Sequence, residues 1–322
     1  MSEKKLVFDD KISSGNFSNK KIEKLREFNI EYQGGECFCK KELIDYAKDA
    51  HIIYNNGVVD IDQKVMEKLP KLKAVIRRGI GYDNINIVAA ANRGIIVSNT
   101  PGFCAEEVST HAVAFILSFV RKIPFWDQYI RKGKWKKICS STWEGQDSIL
   151  DENIGIIGFG NIGKKIAAKL TPFGTHNYFF DPYVKSEKKY NAKKVSLAEL
   201  VKKSKYIVLC CSLTDETKKI LDKDQFLAMR EDVVIINVSR GQLINEEILI
   251  EYLTEDKIRG AALDVFEKEP VDSNNPLLKM DNVILTPHNA FKSCKSDNIL
   301  EDMSIAEIIR IATGKKPHYR VN

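Results

Sequence analysis

The run Gly158-Phe159-Gly160-Asn161-Ile162-Gly163 stands at the middle of this chain of 322 residues, so about a domain's worth of sequence precedes it. Ile154, Ile156 and Ile157 lead into the glycines as a buried strand, and Ile162, Ile166, Ala167 and Leu170 follow at helical spacing on one face. A second apolar run, Tyr178-Phe179-Phe180, ends on Asp181, eighteen residues past Gly163. Strand, glycine turn, helix and strand in that order make a dinucleotide-binding unit, in which glycines permit a tight turn and let a pyrophosphate approach N–H groups at a helix N-terminus. A carboxylate at Asp181 can accept the hydroxyls of an adenosine ribose and would repel a 2′-phosphate, which favours NAD over NADP as cofactor. Lys185 is the nearby counter-signal. Glycines that merely pack a helix on a strand are the alternative, and the flanking strands together with Asp181 argue against it.

The length accommodates two domains of ordinary size, each able to bury a core. The longest apolar stretch, 112–120, is far short of a membrane span and is stopped by Arg121 and Lys122. Met1-Ser2-Glu3-Lys4-Lys5 leads into three apolar residues before Asp9-Asp10, which is not the pattern of a signal peptide, so the expectation is a cytoplasmic protein without a membrane partner. Seven cysteines, with Cys210-Cys211 inside an apolar strand, read as reduced thiols used as small hydrophobes. Cys37 and Cys39 lack zinc-ligand spacing, and no metal site is expected. The net charge of +6 is spread over pairs such as Lys4-Lys5, Lys20-Lys21 and Lys202-Lys203, interleaved with acids, which suits solvated faces better than a nucleic-acid groove.

Ahead of the fingerprint, short apolar runs at 6–8, 51–54, 74–76 and 95–97 alternate with helical patterns such as 40–48 and 63–69, the signature of an α/β domain. Pro101-Gly102 breaks it. The segment 106–121 then predicts a helix apolar nearly all round, through Val108, Ala112, Phe115, Ile116 and Phe119, buried between domains. A polar segment with Trp126, Trp135 and Trp143 follows, and strands at 206–211, 233–238, 261–265 and 283–285 continue the nucleotide-binding sheet. Alternating strand and helix implies parallel pairing. The last helix is expected over about 297–313, with Gly314 as its stop signal.

Three polar residues stand at the C-terminal ends of the later strands, where an open α/β sheet binds its ligands: Arg240 in Asn237-Val238-Ser239-Arg240-Gly241, Glu269 in the run from Asp264 to Pro270, and His288 in Thr286-Pro287-His288-Asn289-Ala290-Phe291. Each has an ordinary alternative, as a surface ion pair, a charged run or a solvated imidazole. Behind a glycine fingerprint they form a catalytic proposal. Hydride transfer to a 2-keto acid leaves an oxygen that needs a proton, and a His beside a carboxylate can hold one near neutral pH. His288 would be the acid, Glu269 would orient and charge-stabilise it, and the planar fork of Arg240 would bind the substrate carboxylate and carbonyl.

At these residues the chain resembles the D-isomer-specific 2-hydroxyacid dehydrogenase family. The resemblance runs through Arg77-Arg78-Gly79-Ile80-Gly81-Tyr82-Asp83-Asn84-Ile85, Asn99-Thr100-Pro101-Gly102, the fingerprint, the Arg240 segment, Gly260-Ala261-Ala262-Leu263-Asp264-Val265-Phe266 and the His288 segment, all in order. It implies two Rossmann-like or flavodoxin-like α/β domains with parallel sheets and an active site in the cleft between them. Residues 1–103, completed by 291–322, would bind substrate, and residues 104–290 would bind NAD. By the same likeness Arg240, Glu269 and His288 are the catalytic set. Cofactor contacts map onto Gly158, Gly160, Asn161, Ile162, Gly163, Asp181, Cys211, Ser212, Thr217, Val238, Ser239 and Asp264, and the substrate carboxylate onto the N–H groups of Ile80 and Gly81. Arg77, and the aromatic Phe291 three residues after the histidine, look most like the branch containing the C-terminal-binding-protein corepressors, where the matching arginine contacts substrate. An inter-domain ion pair is the alternative for Arg77. Phe291 stands where that branch has Trp, Lys292 replaces a common Tyr, Ser212 a proline, and Thr110 a usual acid.

The resemblance implies an NAD-dependent reductase of a small 2-keto acid, acting as a homodimer. Phosphoglycerate dehydrogenase is the rival within the enzyme reading, and a nucleotide-sensing docking protein is the rival outside it. Arg78 bears on the first choice: pointing inward it would favour a second anionic group on the substrate, and pointing outward it would be solvated surface.

Overall fold

Short runs of three to five residues, most of them rich in Val, Ile, Tyr and Phe, pair side by side in one direction and carry the two sheets of the molecule. The computed structural model describes residues 4–11, 17–139, 146–185 and 190–322, and Trp143 lies outside the described residues. The chain divides into two compact units, Met1–Phe103 with Ser293–Asn322, and Cys104–Lys292.

In the first unit the strands are β1 Lys5–Asp9, β2 Ile30–Gly34, β3 Ile52–Asn55, β4 Ala74–Arg77 and β5 Ile96–Ser98, in the order β2-β1-β3-β4-β5 and all parallel. That is the flavodoxin-like order. Alternation along the strands separates two faces. Phe8, Ile53, Val75 and Val97 pack with Leu43, Val65 and Met66 on one side. Val7, Ile52, Tyr54 and Ile76 pack on the other with Leu25 of helix Asn19–Glu27 and with Ile305 and Ile308, so helix Cys294–Ala312 completes the cover of that face. Glu307 of that helix, 1% exposed, accepts from the Ser98 hydroxyl at 2.6 Å and from the N–H of Tyr319 at 3.0 Å, which ties the C-terminal residues to β5.

In the second unit the strands are β6 Asn153–Ile157, β7 His176–Phe180, β8 Ala192–Lys194, β9 Tyr206–Leu209, β10 Val234–Asn237, β11 Gly260–Leu263 and β12 Val283–Leu285. Their order is β12-β11-β10-β9-β6-β7-β8, again all parallel. The strand order reverses at β6, whose C-terminal end is the switch point where such sheets bind ligands. The expected fold class, two α/β domains with parallel sheets, is the one observed.

Several local expectations are corrected. The strand expected over 206–211 stops at Leu209, because its neighbour β6 ends at Ile157; Cys210 still donates its N–H to Ile157 at 2.9 Å before the chain turns away. Cys210 and Cys211 therefore lie past the strand, and both are free thiols. Trp126 sits in a helix, Ile123–Arg131, and Trp135 in the short turn Trp135–Lys137, where a polar connecting segment was read. Helix Ala105–Arg121 buries Val108, Ala112, Phe115, Ile116 and Val120 but leaves Thr110 and Ala114 exposed, so it has a solvent face. Strands β2 and β8 went unread because both are sheet edges with polar residues, Glu31 and Gln33 in one and Lys193 and Lys194 in the other. Among the described residues no single helix is long and apolar enough to cross a membrane.

Candidate active site

The glycine fingerprint forms the turn between β6 and helix Asn161–Leu170. Gly158 has φ +94°, a conformation a side chain resists, and a Cβ there would sit 2.6 Å from the backbone nitrogen of Cys211. Gly160 differs. A Cβ at Gly160 would meet nothing within 4 Å, so the chain's own packing does not require glycine there. The open volume lies at a helix start that no side chain caps, the surroundings a pyrophosphate needs. Asp181, directly after β7, accepts from the N–H of Phe159 at 2.8 Å with one oxygen and from the N–H of Tyr183 at 2.9 Å with the other. Two backbone donors thus hold the carboxylate beside the glycine turn, and each oxygen keeps a lone pair for a ribose hydroxyl.

Of the other residues mapped to the cofactor, Asn161, Ile162 and Gly163 open the helix after β6, Cys211, Ser212 and Thr217 follow β9, Val238 and Ser239 follow β10, and Asp264 follows β11. Thr217 donates its hydroxyl to the carbonyl of Ser212 at 2.7 Å, and Ser239 donates its own to the carbonyl of Cys211 at 2.5 Å. These bonds brace the turn that contains Ser212. Val238 is buried and follows β10 directly.

His288 and Glu269 meet. Nδ1 of His288 lies 2.7 Å from one Glu269 oxygen, and the other oxygen accepts from the N–H of Phe266 at 3.0 Å. Burial pushes the Glu269 carboxyl upward, but the hydrogen bond and charge of His288, the Phe266 N–H and the charge of Arg240 together hold it below the usual carboxylate range. A carboxylate only accepts, so Nδ1 carries the hydrogen and Nε2 becomes the nitrogen that can exchange a proton with a ligand. The imidazole is 40% exposed and Phe291 stands edge-on to it, with ring centroids 6.2 Å apart. His288 has φ +50°, a left-handed conformation that costs a non-glycine residue about 1–2 kcal/mol. Such strain persists where surrounding bonds over-determine it.

Those bonds come from Asp264, which is 1% exposed. Its carbonyl accepts from the His288 N–H at 2.7 Å, while its carboxylate accepts from the N–H groups of Asn289 and Ala290 at 2.9 and 3.0 Å and from the Thr286 hydroxyl at 2.6 Å. In this structure Asp264 therefore shapes the histidine turn. Arg240 is held by a comparable device: Asn237 donates to its carbonyl at 2.8 Å, and its own Nη1 donates to the carbonyl of Ser239 at 2.8 Å. Gly241 follows because any Cβ would collide with the backbone of Phe266. Glu246 clamps the segment bearing Glu269 by accepting from the N–H of Glu267 at 3.0 Å and from Asn275 at 2.8 Å. Asn237, Glu246, Thr286 and His111 were not singled out from sequence; His111, a lone imidazole on an apolar helix, carried the one visible signal.

Arg77, Ile80 and Gly81 belong to the first unit. Nη1 of Arg77 donates to the carbonyls of Asn55 at 3.2 Å and Arg78 at 2.5 Å. The turn after it is braced by Thr100, which accepts from the Gly79 N–H at 3.0 Å, and by Asn99, which donates to the carbonyl of Ile80 at 2.8 Å. Among the described residues these bonds leave the N–H groups of Ile80 and Gly81 unused. Arg78 is not solvated surface, the outward reading of the sequence. Its side chain is 15% exposed and faces Asp297 at 3.9 Å, within its own unit.

A doubly wound sheet with a glycine turn at its switch point and an imidazole–carboxylate pair at its strand ends has the makeup of a nicotinamide-dependent dehydrogenase. Residues 113–290 match the NAD binding domain of the D-isomer specific 2-hydroxyacid dehydrogenases. The chain is 33% identical over 285 residues to a glyoxylate reductase of Korarchaeum cryptofilum, covering 88% of this chain and 86% of that one. It is 34% identical over 310 residues to a D-3-phosphoglycerate dehydrogenase of Archaeoglobus fulgidus, covering 95% of this chain but 58% of that one. The solved NAD-dependent formate dehydrogenase of Staphylococcus aureus in complex with NAD matches with a TM-score of 0.88 at 25% identity, covering 99% of each chain. The chain belongs to the D-isomer specific 2-hydroxyacid dehydrogenase family.

Proposed function

We propose that this protein reduces a small 2-keto acid, of the size of glyoxylate or hydroxypyruvate, to the corresponding 2-hydroxy acid with NADH, His288 supplying the proton. The reading rests chiefly on the 2.7 Å contact between His288 Nδ1 and Glu269 at the C-terminal ends of the second sheet. The bound nicotinamide supplies the hydride. The chain's own residues do the rest: Glu269 fixes the tautomer and orientation of the imidazole, Nε2 gives its proton to the substrate oxygen, and Arg240 binds the carboxylate and polarises the carbonyl. In the opposite direction neutral Nε2 takes the proton back. In the first unit, the unused N–H groups of Ile80 and Gly81 and the cation of Arg77 suit a carboxylate.

Residues Asn161, Ile162, Cys211, Ser212, Thr217, Val238 and Ser239 line the proposed cofactor path, and Asp181 sets the preference for NAD by repelling a 2′-phosphate. Helix Ile123–Arg131 buries none of its residues although it carries Ile123, Phe125 and Ile130, which supports a homodimer that covers them; light scattering at micromolar concentration tests this. The reduced thiols suit a cytoplasmic setting. The 34% identity to a phosphoglycerate dehydrogenase supports a second reading, with a phosphorylated substrate. Steady-state oxidation of NADH against glyoxylate, hydroxypyruvate, pyruvate and 3-phosphohydroxypyruvate separates the two. Turnover confined to the phosphorylated acid favours the second, and no turnover with any member favours a docking protein that keeps a nucleotide site.

A further inference from the structure

We infer that His111 is a positioning residue for this reaction: from helix Ala105–Arg121 it orients, through Thr286 and Asp264, the backbone turn that carries His288. The inference rests on the reading of His288 as proton donor and adds a residue remote from the reacting atoms.

The direction of each hydrogen bond follows from donor counting. The Asp264 carboxylate receives three donors, the Asn289 and Ala290 N–H groups and the Thr286 hydroxyl, and so acts as an acceptor throughout. Thr286 has one hydroxyl proton, and it is spent on Asp264. The Thr286 oxygen, 3.1 Å from Nε2 of His111, can then only accept, so Nε2 of His111 carries a hydrogen and donates it. Phe115 stands edge-on to the ring with centroids 4.4 Å apart, one turn along the same helix, and holds it in this orientation. Burial pushes the His111 imidazole below its usual pKa, against the opposite pull of Asp264, whose nearer oxygen is 3.9 Å from Nε2.

The relay ends on the strained part of the site. The two N–H groups taken by Asp264 belong to the residues directly after His288, which itself holds φ +50°. Removing the His111 donor frees the Thr286 hydroxyl to rotate and leaves Asp264 with one fewer fixed partner. The turn then relaxes, and the imidazole loses its registration on Glu269. Losing the outer partner of a metal-ligating histidine commonly costs about 10–100-fold in activity, and a loss of the same order is expected for this histidine.

The test compares His111→Phe, which keeps a ring against Phe115 without the donor, with His111→Gln, whose amide reaches a similar position, and Thr286→Val, which cuts the relay at its middle. Keto-acid reduction, NADH affinity and amide hydrogen exchange at Asn289 and Ala290 are measured for each. His111→Phe and Thr286→Val should lower kcat about tenfold, with exchange at both amides faster by a similar factor and NADH affinity unchanged. His111→Gln should recover most of the loss. Wild-type kcat and exchange in His111→Phe, or a His111→Gln as impaired as His111→Phe, would overturn the inference. Should His111→Phe fail to fold, Thr286→Val carries the same two readouts. His288→Gln run in parallel separates the levels: full turnover there removes the functional reading itself, whereas an inactive His288→Gln beside an unimpaired His111→Phe removes this inference alone.

Discussion

Glu269 shares its two oxygens between the imidazole of His288 and the backbone N–H of Phe266, so the residue that orients the acid is itself anchored to the end of its strand segment. Replacing Glu269 with Gln keeps the shape but removes the charge and permits the wrong tautomer. We expect kcat to fall by about 10²-fold or more, with NADH affinity little changed. The same variant has a signature in stability. A carboxyl held below its ordinary value of 4.5 contributes stability that is present above that pH and is lost as pH falls through the folded-state value. The difference in urea midpoint between wild type and Glu269→Gln should therefore be larger at neutral pH than in acid, and a difference that grows on acidification contradicts the assignment.

How much of this was legible in the sequence depends on the kind of signal. The Gly158 turn and Asp181 combine local spacing with local chemistry, and they fold where the spacing says. Arg240, Glu269 and His288 could be named because each follows a strand end. The Glu269–His288 contact spans nineteen residues, and it follows from what a proton donor needs, a carboxylate beside an imidazole, with the family likeness implying the same set. The bonds that hold these residues are not legible, since a carboxylate capping a distant backbone has no periodicity: Asp264 on the Asn289 and Ala290 N–H groups was named only as a cofactor contact, and Glu246 on Glu267 not at all. Arg78 shows the limit from the other side: an arginine next to a proposed anion site reads as solvated or substrate-facing, and only the return of Asp297 from the far end of the chain gives it a third role.

Gly160 offers a test of the cofactor site that separates binding from folding. Because a Cβ at Gly160 meets no atom within 4 Å, Gly160→Ala should fold with an unchanged thermal midpoint. The added methyl would occupy the proposed pyrophosphate space, so NADH affinity measured by fluorescence titration should fall by about tenfold or more. Unaltered affinity would move the pyrophosphate elsewhere.

Asp181→Ala removes the carboxylate that Phe159 and Tyr183 hold in place. We expect weaker NADH binding and a smaller preference over NADPH, the ratio of kcat/KM values falling by about 10–100-fold. An unchanged ratio counts against the ribose assignment.

Arg77→Gln should raise KM for the keto acid by about tenfold or more if its cation meets the substrate carboxylate, while NADH affinity stays the same. A change in thermal midpoint with unchanged KM would instead identify Arg77 as a brace for the carbonyls of Asn55 and Arg78.

The central claim is that the imidazole held by Glu269 delivers the proton, and single-turnover oxidation of bound NADH by glyoxylate, compared between wild type and His288→Gln, tests it most directly. The account predicts that the variant binds NADH normally but transfers hydride about 10²–10⁴ times more slowly. Equal single-turnover rates in the two proteins would contradict it.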